Sequence, residues 1–317
     1  MLNTFNTFKT GACPMDEQPN PPIFRWTPVF WVLAISAAGF MYHVLVFHHL
    51  EQTALLFVGI PVLLAVVLVS TPKAKTTVGS VLKATTLALL LSAPLLGEGF
   101  ICIVMAAPIF YAVAMLIAAI AGSLRKREDK PRQAILPCIA LIAFLPMSLE
   151  GTRPGLSFNR EEQVTARRMV AASSQEVENA LRHSPRIDRK LPPYLRMGFP
   201  RPTEAYGEGL EPGALRRVHF AGGEGHPGDL VLVVTDSEPG HVRFRMVSNN
   251  TKVTHWLDFK EADVEWHAVG SQTQVTWTLR YRRLLDPAWY FGPWERYGVR
   301  LAADYLIQVN ATPAGIN

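Results

Sequence analysis

Residues 274–307 read QVTWTLRYRRLLDPAWYFGPWERYGVRLAADYLI, and their periodicity changes once. Up to Arg282 the residues alternate. Val275, Trp277, Leu279 and Tyr281 fall on one side, and Thr276, Thr278, Arg280 and Arg282 on the other. That is the spacing of a strand with one buried face. Asp286-Pro287 ends the run. From about Pro293 to Val309 the spacing becomes helical, with Trp294, Tyr297, Leu301 and Tyr305 or Leu306 on one stripe and Pro293 suited to a first turn. One long terminal helix has to bury its stripe against the inner face of a sheet, which must curve around it. Such a sheet leaves a hollow unless large side chains fill it, so an apolar cavity is expected.

Working outward, strand patterns recur at 217–221, 230–235, 241–248, 251–260 and 263–268 before the last strand at 273–282. Val242, Phe244 and Met246 alternate with Arg243 and Arg245, and His255 falls in phase with Val253 and Leu257. The Gly-rich stretch 222–228 is followed by a strand and not a helix, so it reads as a hairpin loop and not a phosphate cradle. Upstream, a strand at 163–171 precedes Ser173 and Glu176, whose spacing predicts a capping box opening a helix to about His183. The stretch from Pro185 to Pro212 is too interrupted for a long helix.

The order strand, helix, broken segment, six strands and long terminal helix resembles the helix-grip fold of the SRPBCC superfamily: START-like, polyketide-cyclase-like and Bet v 1-like domains. The resemblance rests on VTARRMVAASSQEVENALRH (164–183) and on the 274–307 stretch, and covers residues 163–311. It implies a domain that encloses an apolar small molecule, often a lipid, sterol or polyketide. Some members catalyse cyclisation or dehydration there, and many only bind. The expected pocket residues are Val242, Phe244, Met246, His255, Trp277, Leu279, Tyr281, Trp294, Tyr297 and Leu301. No catalytic residue, cofactor or metal is assigned, because no triad, Gly-x-Ser-x-Gly or His-Glu-x-x-His motif occurs. The alternatives are a cyclase, dehydratase or hydrolase with His255 or Glu265 as acid/base, and a sensor or assembly protein with a solid core.

The other half of the chain is different in kind. Of 317 residues, the first 150 carry 10 Lys/Arg and 7 Asp/Glu, against 21 and 19 in the remainder. That split excludes a single soluble globule. Apolar runs at 28–50, 53–70, 79–96, 100–123 and 134–149 predict a membrane domain of about five helices over 28–150, preceded by a 1–27 tail and followed by a 151–162 linker. Lys73, Lys75 and the run Arg125–Arg132 alternate with the non-basic turns at His48–Gln52 and Gly97-Glu98-Gly99. The positive-inside rule then puts the N-terminus in the cytoplasm and the C-terminal domain outside it. The histidines at 48 and 49 with Glu51 do not share a helix face, so no metal site is expected there.

The whole reads as a multi-pass α-helical membrane domain followed by an α+β helix-grip (START-like) domain. The expected protein sits in a bacterial-type inner or plasma membrane and binds a lipid or other lipophilic small molecule without catalysis. Its partners are the lipid bilayer and that apolar ligand. The net charge of +5 comes from scattered positives among 26 negatives and gives no case for nucleic acid.

Overall fold

The computed structural model describes residues 26–47, 60–72, 74–96, 100–125, 149–221 and 227–311. The expected tail up to residue 25, the turns at 48–52 and 97–99, the basic run after Arg125, the expected span 134–149 apart from Leu149, and most of the Gly-rich loop lie outside the described residues.

In the apolar half, helices α1 (Trp26–Phe47), α2 (Ile60–Ser70), α3 (Thr77–Leu96) and α4 (Phe100–Arg125) occupy four of the five expected positions. Among the described residues one stretch, Ile101–Ile120, is long and apolar enough to cross a membrane, and Thr27–Ala38, Pro61–Ser70 and Thr77–Ala93 are shorter apolar stretches. The helix α3 packs on α2 and α4, and α1 packs on α2 and α3. A hydrogen bond of 2.7 Å between the Thr86 and Tyr111 hydroxyls ties α3 to α4. Lys83 Nζ donates to the Thr71 carbonyl at 2.9 Å, just beyond the C-terminus of α2, where carbonyls lack helical donors.

The C-terminal half is built on seven strands: β1 (Glu161–Val170), β2 (Arg201–Tyr206), β3 (Leu215–Ala221), β4 (Gly228–Glu238), β5 (His241–Asn249), β6 (Leu257–Val269) and β7 (Gln272–Arg283). They form one antiparallel sheet in the order β1-β7-β6-β5-β4-β3-β2, so the first and last strands are neighbours. Bulges within β4, β6 and β2 bend it. The short helix α5 (Ser174–Arg182) opens on the expected capping box: the Glu176 N–H donates to Ser173 Oγ at 3.3 Å, and the Ser173 N–H to Glu176 Oε2 at 2.8 Å. The terminal helix α6 (Ala288–Asn310) lies against β1 and β7. The core between them holds Val164, Val177, Val242, Val264, Val275 and Ile307, each less than a tenth exposed.

Four expectations differ from the structure. The strand β2 falls inside the Pro-broken segment, where Pro202 is tolerated because β2 is the sheet's edge. The expected strands 251–260 and 263–268 are one strand, β6. A bulge between Phe259 and Glu261 moves the inward phase from Leu257 and Phe259 to Ala262, Val264 and Trp266. Residues Lys252–His255 form a 3₁₀ turn and not the start of a strand, because Asn249 Oδ1 accepts from the Thr251 N–H at 3.0 Å and turns the chain at the end of β5. The fourth difference is α6, which begins at Ala288 and not at Pro293. Its buried residues are Gly292, Glu295, Val299, Ala303, Tyr305, Ile307 and Val309, so the packed face is rotated away from the Trp294–Tyr297–Leu301 stripe. Small residues let the helix sit close to β1 and β7, while Trp294 and Tyr297 turn toward the Tyr194 ring.

Ile307 is wholly buried in this core. Ile307→Ala is expected to destabilise the protein by about 2–5 kcal/mol. Val247→Thr, at an exposed strand position, should stay within about 0.5 kcal/mol. Urea denaturation of the two variants in detergent checks both.

Candidate ligand cavity

A cavity of about 700 Å³ lies between the sheet and α6. Small side chains on facing elements leave it open: Ala262 on β6, and Gly298 and Ala302 on α6. A Cβ added at Gly298 would come within 3.1 Å of the Tyr194 ring, so that ring packs directly on the helix backbone. The volume falls in the usual range for small-molecule sites, roughly 300–1,000 Å³. It is incompatible with the solid-core alternative.

The wall is shared between the two halves of the chain. Leu89 and Ser92 of α3, and Ile101 and Met105 of α4, line the same space as Phe244, Trp277 and Val299. Tyr290 of α6 donates a hydrogen bond to the Met105 carbonyl and closes the seam. Beside it, the Glu150 carboxylate accepts from the Ala288 N–H at 3.1 and 3.2 Å, capping a helix whose own N-cap, Pro287, offers no side-chain acceptor.

Of the residues expected from the pattern, Phe244, His255, Trp277, Leu279, Tyr281 and Trp294 line the cavity. Val242, Met246, Tyr297 and Leu301 do not. Val242 is fully buried in the core and Tyr297 is 53% exposed. His255 sits on the 3₁₀ turn, exposed at the wall, since strand alternation does not reach it. Glu265 is exposed and away from the cavity. His219 pairs with Asp229 at 2.7 Å, and His241 lies 3.3 Å from Asp263, both outside it. Burial pushes the Asp263 carboxyl up, but hydrogen bonds from Arg243 and His241 and the Arg243 and Arg280 charges outweigh it and hold the group below the usual carboxylate range. Among the described residues no cluster of His, Cys, Asp and Glu converges to hold a metal.

Sequence reasoning missed two parts of the wall. The first is an aromatic row from the Pro-broken segment: Tyr194 stands 5.3 Å from Phe199, which meets Trp256 edge-on at 5.1 Å. Aromatic residues punctuating a proline-rich stretch were the available signal. Burial pushes the Tyr194 hydroxyl up to about 12, with the Tyr297 and Glu295 charges adding to the effect. The second is polar. Glu295, 7% exposed, lies in the wall, and its carboxyl is approached by the Leu285 amide but by no side-chain hydrogen-bond partner. Burial raises its carboxyl to about 8, against the lowering influence of the Leu285 amide and the Arg283 charge. The Tyr281 hydroxyl and Trp277 Nε1, in the same wall, also lack partners. Farther round, Arg216 donates to the Leu181, Arg182 and Gly209 carbonyls at 2.9, 2.9 and 2.8 Å, closing the end of α5.

An antiparallel sheet whose first and last strands pair, curled about a terminal helix with a cavity between, is a specific architecture. The C-terminal half has a helix-grip architecture. Solved structures similar to it include a START superfamily protein from Mycobacterium smegmatis, at 15% identity over 45% of this chain and 88% of that one, with a TM-score of 0.32. The ginseng major latex-like protein 151 from Panax ginseng is similar at 14% identity over 47% and 99% of the two chains, with a TM-score of 0.28. The Aha1 protein from Colwellia psychrerythraea is similar at 15% identity over 47% and 96%, with a TM-score of 0.29. No family model and no curated protein matches the chain.

The Glu295 environment sets a pH dependence. Its carboxyl is neutral in the fold up to about pH 8 but ionises in the unfolded chain near 4.5. The folded state therefore holds the extra proton, and stability falls as pH rises from 4.5 through 8. Each unit of that difference is worth about 1.4 kcal/mol before relaxation. Glu295→Gln should flatten the decline, read as the thermal midpoint of each variant at pH 5 and pH 9.

Proposed function

We propose that the protein holds a lipid or other lipophilic small molecule in this cavity, at the surface of a membrane spanned by its apolar half, without covalent chemistry. One observation carries the reading: a single apolar cavity is walled by the grip domain and by α3 and α4 together. A ligand that rarely enters water would have a continuous apolar path to such a site.

The place of the cavity along the helices adds to the orientation reading. The wall residues of α3 lie in its second half, at 88–92, and those of α4 in its first, at 101–110. Both belong to the non-basic 97–99 end of this helix pair. Met105 and Arg125 are separated along α4 by about 30 Å at ~1.5 Å per residue. Lys75 and Lys83 at the start of α3 and Arg125 at the end of α4 therefore stand at the far end, which favours a cytoplasmic face there and an extracytoplasmic grip domain. Glu150 lies back at the Met105 end, bonded to the start of α6, which supports an odd number of crossings with the cytoplasmic N-terminus.

A second reading, acid–base chemistry on the bound molecule, is favoured by Glu295 alone. It is a carboxyl in the wall that titrates near 8, suited to proton transfer at neutral pH. Turnover lost in Glu295→Gln with ligand retained would favour catalysis over binding.

Native mass spectrometry of the full chain purified from its host should show a retained apolar molecule. Ala302→Trp, which fills the cavity from α6, should reduce that occupancy at least tenfold while the thermal midpoint changes little. An empty cavity in the unaltered protein would refute the binding reading. A periplasm-only reporter fused after Asn317 should be active if the orientation is right.

A further inference from the structure

Three polar side chains in the cavity wall, Glu295, Tyr281 and Trp277, remain short of side-chain partners, and the first two can both donate and accept. Glu295 is on α6 and Tyr281 on β7, 7% and 1% exposed; the Glu295 carboxyl is approached by the Leu285 amide alone, and the Tyr281 phenol oxygen makes no hydrogen bond. The charges of the nearby cations are paired elsewhere, with Arg283 Nε the one guanidinium nitrogen left without a partner. Arg283 serves Glu150, Asp286 and the Leu285 carbonyl, and Arg296 pairs with Glu162 at 2.9 Å. Taking up a proton removes the charge of Glu295 but still leaves one donor and one acceptor unmet, and the Tyr281 hydroxyl brings another of each. A buried polar group without a partner is destabilising, and a leucine at 295 would avoid that penalty in an otherwise apolar wall. A polar group on a bound molecule is one means of completing these bonds.

We propose that Glu295 and Tyr281 form an anchor for an uncharged oxygen head group, a hydroxyl or a carbonyl, on the lipophilic ligand. The anchor rests on the cavity-binding reading above. A hydroxyl can accept from Tyr281 and donate to the Glu295 carbonyl, and a carbonyl can accept from both O–H groups. An anionic head group meets an acid and no uncommitted cation at this part of the wall. An ammonium would demand an ionised Glu295, which burial beside Glu162 and Asp286 disfavours. The polar atoms of Glu295 and Tyr281 have no exposed surface of their own, so seating the head group requires both side chains to turn toward the cavity.

The test uses the full chain in detergent and three probes with the same tail: hexadecan-1-ol, hexadecane and hexadecylamine. The alcohol should bind at least tenfold tighter than the alkane. Tyr281→Phe and Glu295→Leu should each erase most of that preference and leave the alkane unchanged, whereas Glu295→Gln, which keeps a donor and an acceptor, should retain it. Equal binding of alcohol and alkane, or an alcohol preference untouched by Tyr281→Phe, overturns the anchor with the cavity reading intact. Tightest binding by the amine also overturns it, since Glu295 would then be a carboxylate pairing with a cation. Failure of all three probes to bind overturns the cavity reading itself.

Discussion

Arg283 has no exposed surface at all, and a guanidinium so placed is tolerated only if its surroundings are built to satisfy it. Two segments supply partners to its side chain. Asp286 meets Nη1 at 2.8 Å, Glu150 lies 3.5 Å from Nη2, and the Leu285 carbonyl accepts as well. Its own N–H donates to the Arg160 carbonyl at 2.8 Å, and Arg160 returns a bond to Asp286. The end of the apolar half, the linker before β1, the end of β7 and the start of α6 thus meet around one charge.

The consequence is directional. Only residues 284–287 separate β7 from α6, so fixing that junction fixes the angle at which the helix re-crosses the sheet. Glu150 adds a negative group at the helix N-terminus, where the dipole and the free N–H groups favour it. Because α6 sets out from this corner and lies along β1 and β7, the remaining strands curl past it without touching it along their whole length, and the cavity is what lies between. The same corner brings Tyr290 to Met105, so the opening of the grip domain and the ends of α3 and α4 share a wall.

Local signals carried well from sequence to structure. The alternation in β7 and the Ser173–Glu176 box depend on neighbours two and three residues away, and both stand where the pattern puts them. What failed were properties decided by distant partners. The phase of β6 is reset by a bulge against β7, and β2 exists only because an edge position can take a proline. The rotation of α6 is the most instructive case. A hydrophobic stripe assigns Trp294 and Tyr297 to the core and Glu295 to water, yet the helix buries Gly292, Val299 and Ala303 because small residues allow close approach to the sheet. Half of the site, Glu295 above all, was therefore hidden behind a rule that is right for most acids.

On the proposed membrane reading, the shared wall also bears on why the apolar half has several helices where one would anchor. Each methylene moved through water costs about 0.8 kcal/mol, so a ten-carbon tail crossing an aqueous gap faces on the order of 8 kcal/mol. A grip domain on a flexible stalk would leave that barrier in place. Packing Leu89, Ile101 and Met105 into the cavity wall offers the tail an unbroken apolar surface from helix to sheet. That arrangement needs α3 and α4 held in fixed relation, which the Thr86–Tyr111 bond and the packing of α1 and α2 behind α3 provide. On the proposed reading, the bundle is part of the binding site, and its rigidity serves the cavity as directly as the curvature of the sheet does.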